Sequence, residues 1–573
     1  MTGRNTTRRG RARLLLLALA VALTGCTGLP TSGEVTAGLV PGAAPEEPDT
    51  QFFPLAPTAG ATPEQIVTGF IEAALSPVDG WETARLFLSR DLAATWRPEA
   101  GVTVDAADAR RTQVDEETGL VTLTVAPTAT VDEHGTYTTS ASGSVDLQFR
   151  VAQREDGEWR IVEAPDGIVL DRQNFPVVFN PHPLAYFDPT WSFLVPDVRW
   201  FPTSGNTATS IVRELVDGAP SPWLAGSVAS AFAQDIDLQT DAVPVDTDQV
   251  AHVELNSVAA GADATALGRM LAQLDASLAN TGVQSVRLTT GSDTRPVDVE
   301  PVPVSQTRPD SRALVLREDE FGFLSGSELT PIDGLSPTLL DIPADIEAIS
   351  VSPDQQVAAV KLGTGLVSRV TSDGNVDTVD ERGGQIEPLI DPFGYVWTVV
   401  GRSPGEVTAW NADLEPFAIE GAWPEADAVR AWAMSRDGSR IAALVTTGGQ
   451  HLAVVASVRR DRSGNPAGLG PAMRVTELAQ AGVAVAWIED ARIGVVTSDG
   501  ETWRVVEQQI GGPAEVSDAP AGTASIAFGT QDSSVRLLTE EGVMYMRRGS
   551  SWQQTGADVQ VLATQMGTPP RTG

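Results

Sequence analysis

Residues 348–363 read AISVSPDQQVAAVKLG, and residues 431–446 read AWAMSRDGSRIAALVT. Each segment is an apolar strand, a turn that contains Asp, and a second apolar strand. Related segments occupy residues 389–400, 485–500 and 525–539. The five turns are centred near Asp354, Gly394, Asp437, Asp490 and Asp532, so the intervals between them are 40, 43, 53 and 42 residues.

An interval of about 40 to 45 residues is typical of a β-propeller blade. The longest interval contains residues 459–471, in which Asn465-Pro466 and three glycines predict a surface loop. Residues 312–324 predict a further pair of strands. We therefore expect a propeller over residues 310–565 with five to seven blades, one of them closed by strands from both ends. Because there is no Trp-Asp signature, the blades resemble those of TolB-like proteins more than WD40 blades.

The preceding region, residues 171–302, alternates between strand and helix patterns. Strands are predicted at 191–199, 251–255 and 283–290, and helices at 210–217 and 267–278. This order predicts a compact α/β domain. Residues 301–309, which are rich in proline, predict a linker to the propeller.

Residues 52–170 predict an α+β domain. Thr62-Pro63-Glu64 is typical of a helix start, and a second helix is expected from Trp81 to Trp96. Strands follow at 120–125, 144–151 and 159–162. Helices followed by a curved antiparallel sheet resemble the cone fold of the nuclear-transport-factor-2-like superfamily. The whole chain is thus expected to be multidomain, with α+β, α/β and all-β parts.

The N-terminus has the pattern of a lipoprotein signal peptide. Five arginines and no acid precede residues 14–23, which contain only Leu, Ala and Val. This apolar run of ten is too short to span a bilayer. It ends at Leu23-Thr24-Gly25-Cys26, a lipobox, which predicts cleavage between Gly25 and Cys26 and acylation of Cys26 with diacylglyceryl and N-acyl groups. Residues 1–25 are then the signal, and residues 26–51, rich in Pro, Gly and Thr, are a flexible tether.

Charge and cysteine content exclude several classes of function. The chain has 75 acidic and 39 basic side chains, a net charge of −36. Removal of residues 1–25 leaves 34 basic side chains and a net charge of −41. Such a charge disfavours nucleic acid and anionic lipid headgroups as ligands. Cys26 is the only cysteine, so disulfides, thiolate catalysis and cysteine-ligated zinc are excluded.

No motif supports catalysis, a cofactor or a metal. Residues 401–405, Gly-Arg-Ser-Pro-Gly, match the nucleophile elbow in letters, but the residue after Ser403 is Pro404, which has no N–H for an oxyanion hole. A turn between blade strands is expected instead. The four histidines have no metal-binding spacing, and the acids between Asp235 and Asp248 predict a solvated loop. We expect the protein not to be an enzyme.

Two sets of side chains are candidates for binding a ligand or a partner protein. Trp397, Trp432 and Trp487 hold similar blade positions, which favours packing in the core over ligand stacking. Arg459, Arg460 and Arg462 lie in the predicted loop of an acidic protein. They are a possible contact for an acidic partner patch, although a plain solvated loop is the simpler interpretation.

The whole chain resembles the LpqB lipoprotein family of actinobacteria. The resemblance is carried by the lipobox with the following GLPTSG, by YFDPTWSFLVPDVRWFP and ATSIVRELVDGAP, and by the blade turns that contain Ser352-Pro353-Asp354 and Ser435-Arg436-Asp437-Gly438. The middle segment is similar to a GerMN domain. The resemblance implies a lipid-anchored accessory of an MtrAB-type two-component system. It would act on the extracellular domain of the sensor histidine kinase, MtrB, and so on cell-wall and division homeostasis.

Two hypotheses follow. In the first, the protein is a binding lipoprotein that modulates a membrane kinase. In the second, it is a cell-envelope protein whose propeller binds or processes glycan or peptide. An enzyme of the second kind needs acids and a base that converge in one cleft, and the sequence shows no marked cluster of that kind.

The lipobox generates the first testable prediction. Because the acidic mature chain has no basic patch for lipid headgroups, Cys26→Ser should release the protein from the membrane without unfolding it. Fractionation of cells and circular dichroism of the released protein measure both outcomes. Retention of the variant on membranes in high salt would contradict a purely lipid attachment.

Overall fold

The computed structural model describes residues 54–140, 143–203, 206–291, 295–299, 302–305, 307–529 and 534–567. Gly25 and Cys26, with the predicted signal and tether, lie outside these residues. The described residues belong to one compact unit. Within them, every helix is too short or too polar to cross a membrane.

The N-terminal domain consists of short helices packed on two four-stranded sheets. Its elements are α1 Pro63–Ala73, α2 Glu82–Arg85, α3 Arg90–Thr95, β1 Gly101–Asp105, β2 Arg111–Asp115, β3 Leu120–Val125, β4 Pro127–Asp132, β5 Tyr137–Thr139, β6 Val145–Gln153, β7 Trp159–Glu163 and β8 Ile168–Asp171. The strand orders are β5-β4-β1-β8 and β2-β3-β6-β7. Where the sequence predicted one curved sheet, the strands divide between two, and the nuclear-transport-factor-2-like assignment stays a prediction.

The predicted helix boundaries are partly confirmed. The Thr62 side chain accepts the Gln65 N–H and the Gln65 side chain accepts the Thr62 N–H, a capping box that starts α1 where expected. The predicted helix from Trp81 to Trp96 is wrong as a continuous element. Its middle is extended because the Ser89 N–H donates to Ile161 O of β7 at 2.7 Å, and Ser89 then caps α3.

The middle domain contains a long antiparallel hairpin and a parallel strand pair. Its elements are α4 Phe175–Val178, β9 Phe179–Phe187, β10 Leu194–Pro202, α5 Thr207–Val216, β11 Val250–Leu255, α6 Ala264–Leu278 and β12 Ser285–Thr290. Strand β9 was not predicted, because it contains Pro181 and Pro183. Both prolines are tolerated because they lie on the edge of β9 that faces away from β10, at positions where no other strand of the described residues pairs with β9, so the missing N–H groups cost no hydrogen bond between strands.

The propeller has six blades in its described residues, five with four strands and one with five, in which both β27 and β28 pair with β26. Its first elements are β13 Ala313–Arg317, β14 Glu320–Ser325, β15 Glu328–Thr330, α7 Leu335–Leu340, β16 Ile346–Val351, β17 Val357–Leu362, β18 Val367–Thr371, β19 Val376–Asp380, β20 Leu389–Ile390, β21 Val396–Thr398, β22 Thr408–Trp410, β23 Pro416–Ala418 and β24 Ala428–Met434. The remaining strands are β25 Arg440–Thr447, β26 Gln450–Arg460, β27 Pro466–Leu469, β28 Met473–Leu478, β29 Gly482–Glu489, β30 Arg492–Ser498, β31 Trp503–Gln509, β32 Ala514–Ala519, β33 Thr523–Ala527, β34 Arg536–Thr539, β35 Met544–Arg548, β36 Ser551–Gly556 and β37 Val561–Gln565.

Six innermost strands close the ring. They contact one another in the order β37, β16, β20, β24, β29 and β33, and β33 returns to β37. Strand β37, near the C-terminus, completes the blade of β13, β14 and β15. The expected blade with strands from both ends is therefore confirmed. The turn expected near Asp532 lies outside the described residues.

The blade turns are fixed by serine and aspartate side chains. Ser352 Oγ donates to Asp354 Oδ1 at 2.5 Å and accepts the Val357 N–H at 3.1 Å. The turn at Ser435 repeats this, with Asp437 as its acceptor and Arg440 as its N–H donor. These side chains satisfy backbone groups that a tight turn leaves unpaired, which explains why the Ser-x-Asp spacing recurs in the sequence.

Candidate functional site

The three domains meet around a groove of about 750 Å³. The N-terminal domain contributes residues 136–140, the middle domain 196–198 and 221–223, and the propeller mainly 471–477 and 508–512. A volume between roughly 300 and 1,000 Å³ is typical of ligand sites. The groove is therefore the candidate site.

Strand β10 builds one wall of the groove through a buried ion pair. Arg199, whose side chain is 3 % exposed, donates to Asp197 Oδ2 at 2.9 Å. It also donates to His134 O at 3.2 Å and to Thr136 Oγ1 at 3.0 Å, both in the N-terminal domain. The Asp197 carboxylate in turn accepts the Ser221 N–H and hydroxyl, each at 2.7 Å. A buried guanidinium with partners in both domains holds them in one arrangement.

Trp200, the next residue of β10, bonds to both of the other domains. Its backbone N–H donates to Gly135 O at 2.8 Å, and its indole N–H donates to Gly511 O of the propeller at 2.7 Å. Gly135 has a φ of +77°, and a Cβ there would lie 2.8 Å from Trp200 O. This close approach explains the glycine.

Two further contacts tie the middle domain to the propeller. The Asp188 carboxylate accepts the N–H groups of Ser192 and Phe193 at 2.8 and 2.7 Å, and the resulting turn places the Phe193 ring edge-on against Phe393, with centroids 6.0 Å apart. Ser457 Oγ of β26 donates to Trp223 O at 2.7 Å. The groove thus has walls that are fixed relative to one another.

Burial changes the pKa of two side chains beside the groove. Burial raises the pKa of the Glu214 carboxyl, while hydrogen bonding to His134 and the charge of Arg199 act in the opposite direction. Burial, reinforced by the Asp197 charge, raises the pKa of the Tyr186 phenol. Tyr186 Oη is buried without a hydrogen-bond partner among the described residues.

The central channel of the propeller is a second cavity, of about 160 Å³. Glu387 lines the channel, and desolvation by the surrounding protein atoms raises the pKa of its carboxyl although the side chain is exposed to the channel. With about 160 Å³ against about 750 Å³, the channel has much less room for a polypeptide segment than the groove.

The predicted arginine loop needs correction. Residues 459–471 are not an open loop, because β26 extends to Arg460 and β27 returns from Pro466 to Leu469. Arg460 is buried against the Phe393 ring and donates to Asp391 Oδ2 at 2.7 Å, so it is not available to a partner. Arg459 is half-buried near Gly468. Arg462 is exposed in the turn and alone stays a predicted contact.

Because Arg460 is buried and Arg462 is exposed, we expect substitutions of these two arginines to have different effects on stability. Arg460→Leu leaves the buried Asp391 carboxylate unpaired and should lower the free energy of unfolding by about 3 to 5 kcal/mol. The matched control, Arg462→Leu, should change it by less than about 0.5 kcal/mol. Urea denaturation measures both, and equal effects would contradict the buried pair.

The other predicted sites behave as structural elements. Trp397, Trp432 and Trp487 are buried, and their indole N–H groups donate to Asp391, Glu387 O and Ala433 O, which confirms the packing interpretation. Residues 401–405 connect β21 and β22, as expected for a blade turn. In the described ranges, no three His, Cys, Asp or Glu side chains are grouped to hold a metal ion.

The histidines are dispersed over the described structure. His134 Nδ1 lies 3.2 Å from Glu214 Oε2, His252 Nε2 lies 2.8 Å from Asp246 Oδ2, and His451 Nδ1 lies 3.2 Å from Thr446 Oγ1. His182 is 6 % exposed beside the Phe201 ring. Burial lowers the pKa of His182 to about 4.

His182 predicts a pH dependence of stability. Between pH 6.5 and pH 4, His182 is protonated in the unfolded chain but neutral in the folded chain. The contribution of this group to stability is therefore fully present above pH 6.5 and is lost as the pH falls towards 4. The free energy of unfolding should fall by about 3 kcal/mol from this group. His182→Gln should remove that part of the slope in denaturation series from pH 8 to pH 4. At pH 8, where His182 is neutral in both states, the difference in the free energy of unfolding between the parent and the variant gives the packing effect alone. If the variant kept the same slope between pH 8 and pH 4, the prediction would be contradicted.

No pattern in the sequence predicts the groove. Its walls come from distant segments, and the one available signal was the dense aromatic and proline segment YFDPTWSFLVPDVRWFP, which spans the end of β9 and all of β10. In the sequence, this segment indicates a family resemblance but not a groove.

Comparison with protein families assigns all three domains. Residues 56–176 match the family "Lipoprotein LpqB, N-terminal domain", residues 184–294 match "Sporulation and spore germination", and residues 319–562 match "Lipoprotein LpqB beta-propeller domain". The second match is the GerMN-type domain, so this expectation and the propeller are confirmed.

Similar proteins occur in several actinobacteria. Lipoprotein LpqB of Streptomyces coelicolor is 28% identical, over 96% of this chain and 97% of its own length. Lipoprotein LpqB of Bifidobacterium longum is 26% identical, over 98% and 99% respectively. Among solved structures, TolB from Acinetobacter baumannii is 16% identical with a TM-score of 0.31. The match covers 43% of this chain and 61% of TolB, less than two thirds of it.

Proposed function

Because the chain belongs to the LpqB lipoprotein family, we propose that it is anchored by lipid on the outer face of the cell membrane and modulates a sensor kinase. The partner is the extracellular domain of an MtrB-like sensor histidine kinase of an MtrAB-type system. Through that kinase the protein affects cell-wall and division homeostasis. Its attachment is the acylated Cys26, and it needs neither cofactor nor nucleic acid.

The observation that carries this proposal is the groove whose walls come from all three domains. A regulator of a membrane receptor needs a surface of fixed shape at some distance from its anchor. The tether supplies the reach, and the contacts of Arg199 and Trp200 with neighbouring domains favour a fixed shape. Because the groove is already formed, this protein loses little conformational entropy when a partner binds there.

One observation favours the second candidate, a glycan- or peptide-processing propeller. The raised pKa of the Glu387 carboxyl in the channel is a property of general acids. The channel volume of about 160 Å³ argues against it, because a glycan chain needs more room. Turnover of peptidoglycan fragments by the purified protein, abolished by Glu387→Gln, would favour this candidate over the first.

Binding to the kinase tests the proposal directly. Detergent-solubilised full-length protein should bind the kinase's extracellular domain saturably in a calorimetric titration. Ala472→Trp fills the groove with a bulky ring and should weaken binding at least about tenfold, since no room is left for the partner. Val516→Trp, at a 62 % exposed position of β32 outside the groove lining, is the matched control.

Absence of binding by the unaltered protein would overturn the proposal. So would deletion of the protein from cells with no change in kinase signalling.

A further inference from the structure

We propose that the groove binds an extended, uncharged segment of the partner polypeptide, which adds as a β-strand to the free edges of β5 and β28. The inference rests on the proposed function and names the form in which the partner binds. Strand addition is a common mode of peptide recognition, in which main-chain hydrogen bonds give affinity and pockets for alternate side chains give specificity.

The pattern of lining residues shows that strand edges face the groove. Side chains of a strand point alternately to its two faces, so a cavity above one face contacts every second residue. This groove is lined by every residue from 136 to 140 and from 471 to 477. It therefore runs along the edges of β5 and β28. Both are outer strands of their sheets, β5 beside β4 and β28 beside β26.

The register identifies the main-chain groups that face the groove from β5. The Ser140 N–H donates to Thr128 O at 2.9 Å, and Thr136 O accepts from Asp132 N–H at 3.2 Å, so the even-numbered residues bond to β4. Because the direction alternates along an antiparallel strand, the N–H and C=O groups of Tyr137 and Thr139 point the other way. They have no backbone partner within the described part of the chain.

Strand β28 presents the same kind of edge. Gln450 is paired with Thr447 at the end of the β25–β26 hairpin, which directs the main-chain groups of His451 and Ala453 towards β28. Their partners on β28 are Leu478 and Thr476. The main-chain groups of Glu477, between them, therefore point outwards and lack a backbone partner in the ranges described. Free strand edges are the groups that an added strand satisfies.

Charge identifies the chemistry of the occupant. Among the residues that line the groove, only Asp197, Arg474 and Glu477 carry a charge. Asp197 is neutralised by Arg199, and the other two offset one another. On a chain with a net charge of −36, this nearly neutral strip is complementary to an uncharged segment rather than to a basic one.

The lining also favours apolar side chains. Trp223, Met473 and Ile510 contribute apolar surface, while glutamine and threonine side chains supply hydrogen-bonding groups. The groove continues the interface between the three domains, because its walls include Asp197 and Gly511 of the contacts that join them. A strand bound there touches all three domains at once.

Hydrogen–deuterium exchange tests this inference without any substitution. The full-length protein in detergent is measured alone and with saturating kinase extracellular domain. The amides of residues 136–140 and 471–478 should exchange at least tenfold more slowly in the complex, because the free N–H groups acquire acceptors. Peptides on the outer strand β32 are the internal control and should not change.

A pair of variants isolates one main-chain hydrogen bond. Thr139→Pro removes the outward N–H of β5 but no bond to β4, and should raise the Kd for the kinase domain about two- to tenfold. Thr139→Ala removes the same side chain and keeps the N–H, so it is the matched reference, and the difference in Kd between the two variants measures the main-chain hydrogen bond alone. Equal binding by both variants would overturn strand addition at β5.

The outcomes separate this inference from the proposed function. Binding with protection at both edges supports strand addition. Binding that leaves one or both of the edges unprotected overturns strand addition, while the proposed binding to the kinase still holds. No binding overturns both. Protection that grows with the concentration of this protein alone identifies a second copy as the occupant and also overturns the inference.

Discussion

The buried Arg199 guanidinium is the constraint on which the arrangement of the molecule depends. A cation that is 3 % exposed depends on protein groups for its hydrogen bonds, and the acceptors of its two terminal amino groups come from the N-terminal and middle domains. The next residue, Trp200, bonds to the propeller. Two successive residues of one strand thus connect three domains. Because adjacent side chains of a strand point to opposite faces, β10 reaches neighbours on both sides and acts as the shared wall between them.

A second consequence concerns the groove. Domains that are joined by short contacts between fixed strands cannot bury every strand edge, since their sheets meet at angles set by each domain's own core. The edges of β5 and β28 are left facing the same space. Exposed edges are usually protected by charge, proline or a bulge. Here Pro471 lies just before β28, and the register shift between Ala453 and Val454 falls in the middle of β28, at Val475. Strand β5 has no such protection along its three residues.

The propeller could be predicted from sequence because its determinants are local and repeated. A turn such as Ser435-Arg436-Asp437-Gly438 is built from side chains two to five residues apart, so its signal survives in the sequence. Strand β9 was missed because Pro181 and Pro183 disfavour strands, and only the tertiary context makes them harmless. Arg460 was misjudged for a related reason. Sequence gives the charge of a side chain but not its burial, and the Asp391 that neutralises Arg460 is 69 residues away. The groove could not be predicted, because it is a property of three domains and not of any one segment.

Ring closure by β37 has a consequence for biogenesis. Because synthesis proceeds from the N-terminus, the N-terminal and middle domains emerge ahead of the blades. The first blade is complete only when β13 pairs with β37, which is synthesised about 250 residues later. Closing so long a loop is entropically costly and slow. Until the last strand emerges, the open ring exposes unpaired strand edges on both sides of the gap, where proteases and chaperones can bind. Emergence of β37 is therefore the step that commits this propeller to its native state.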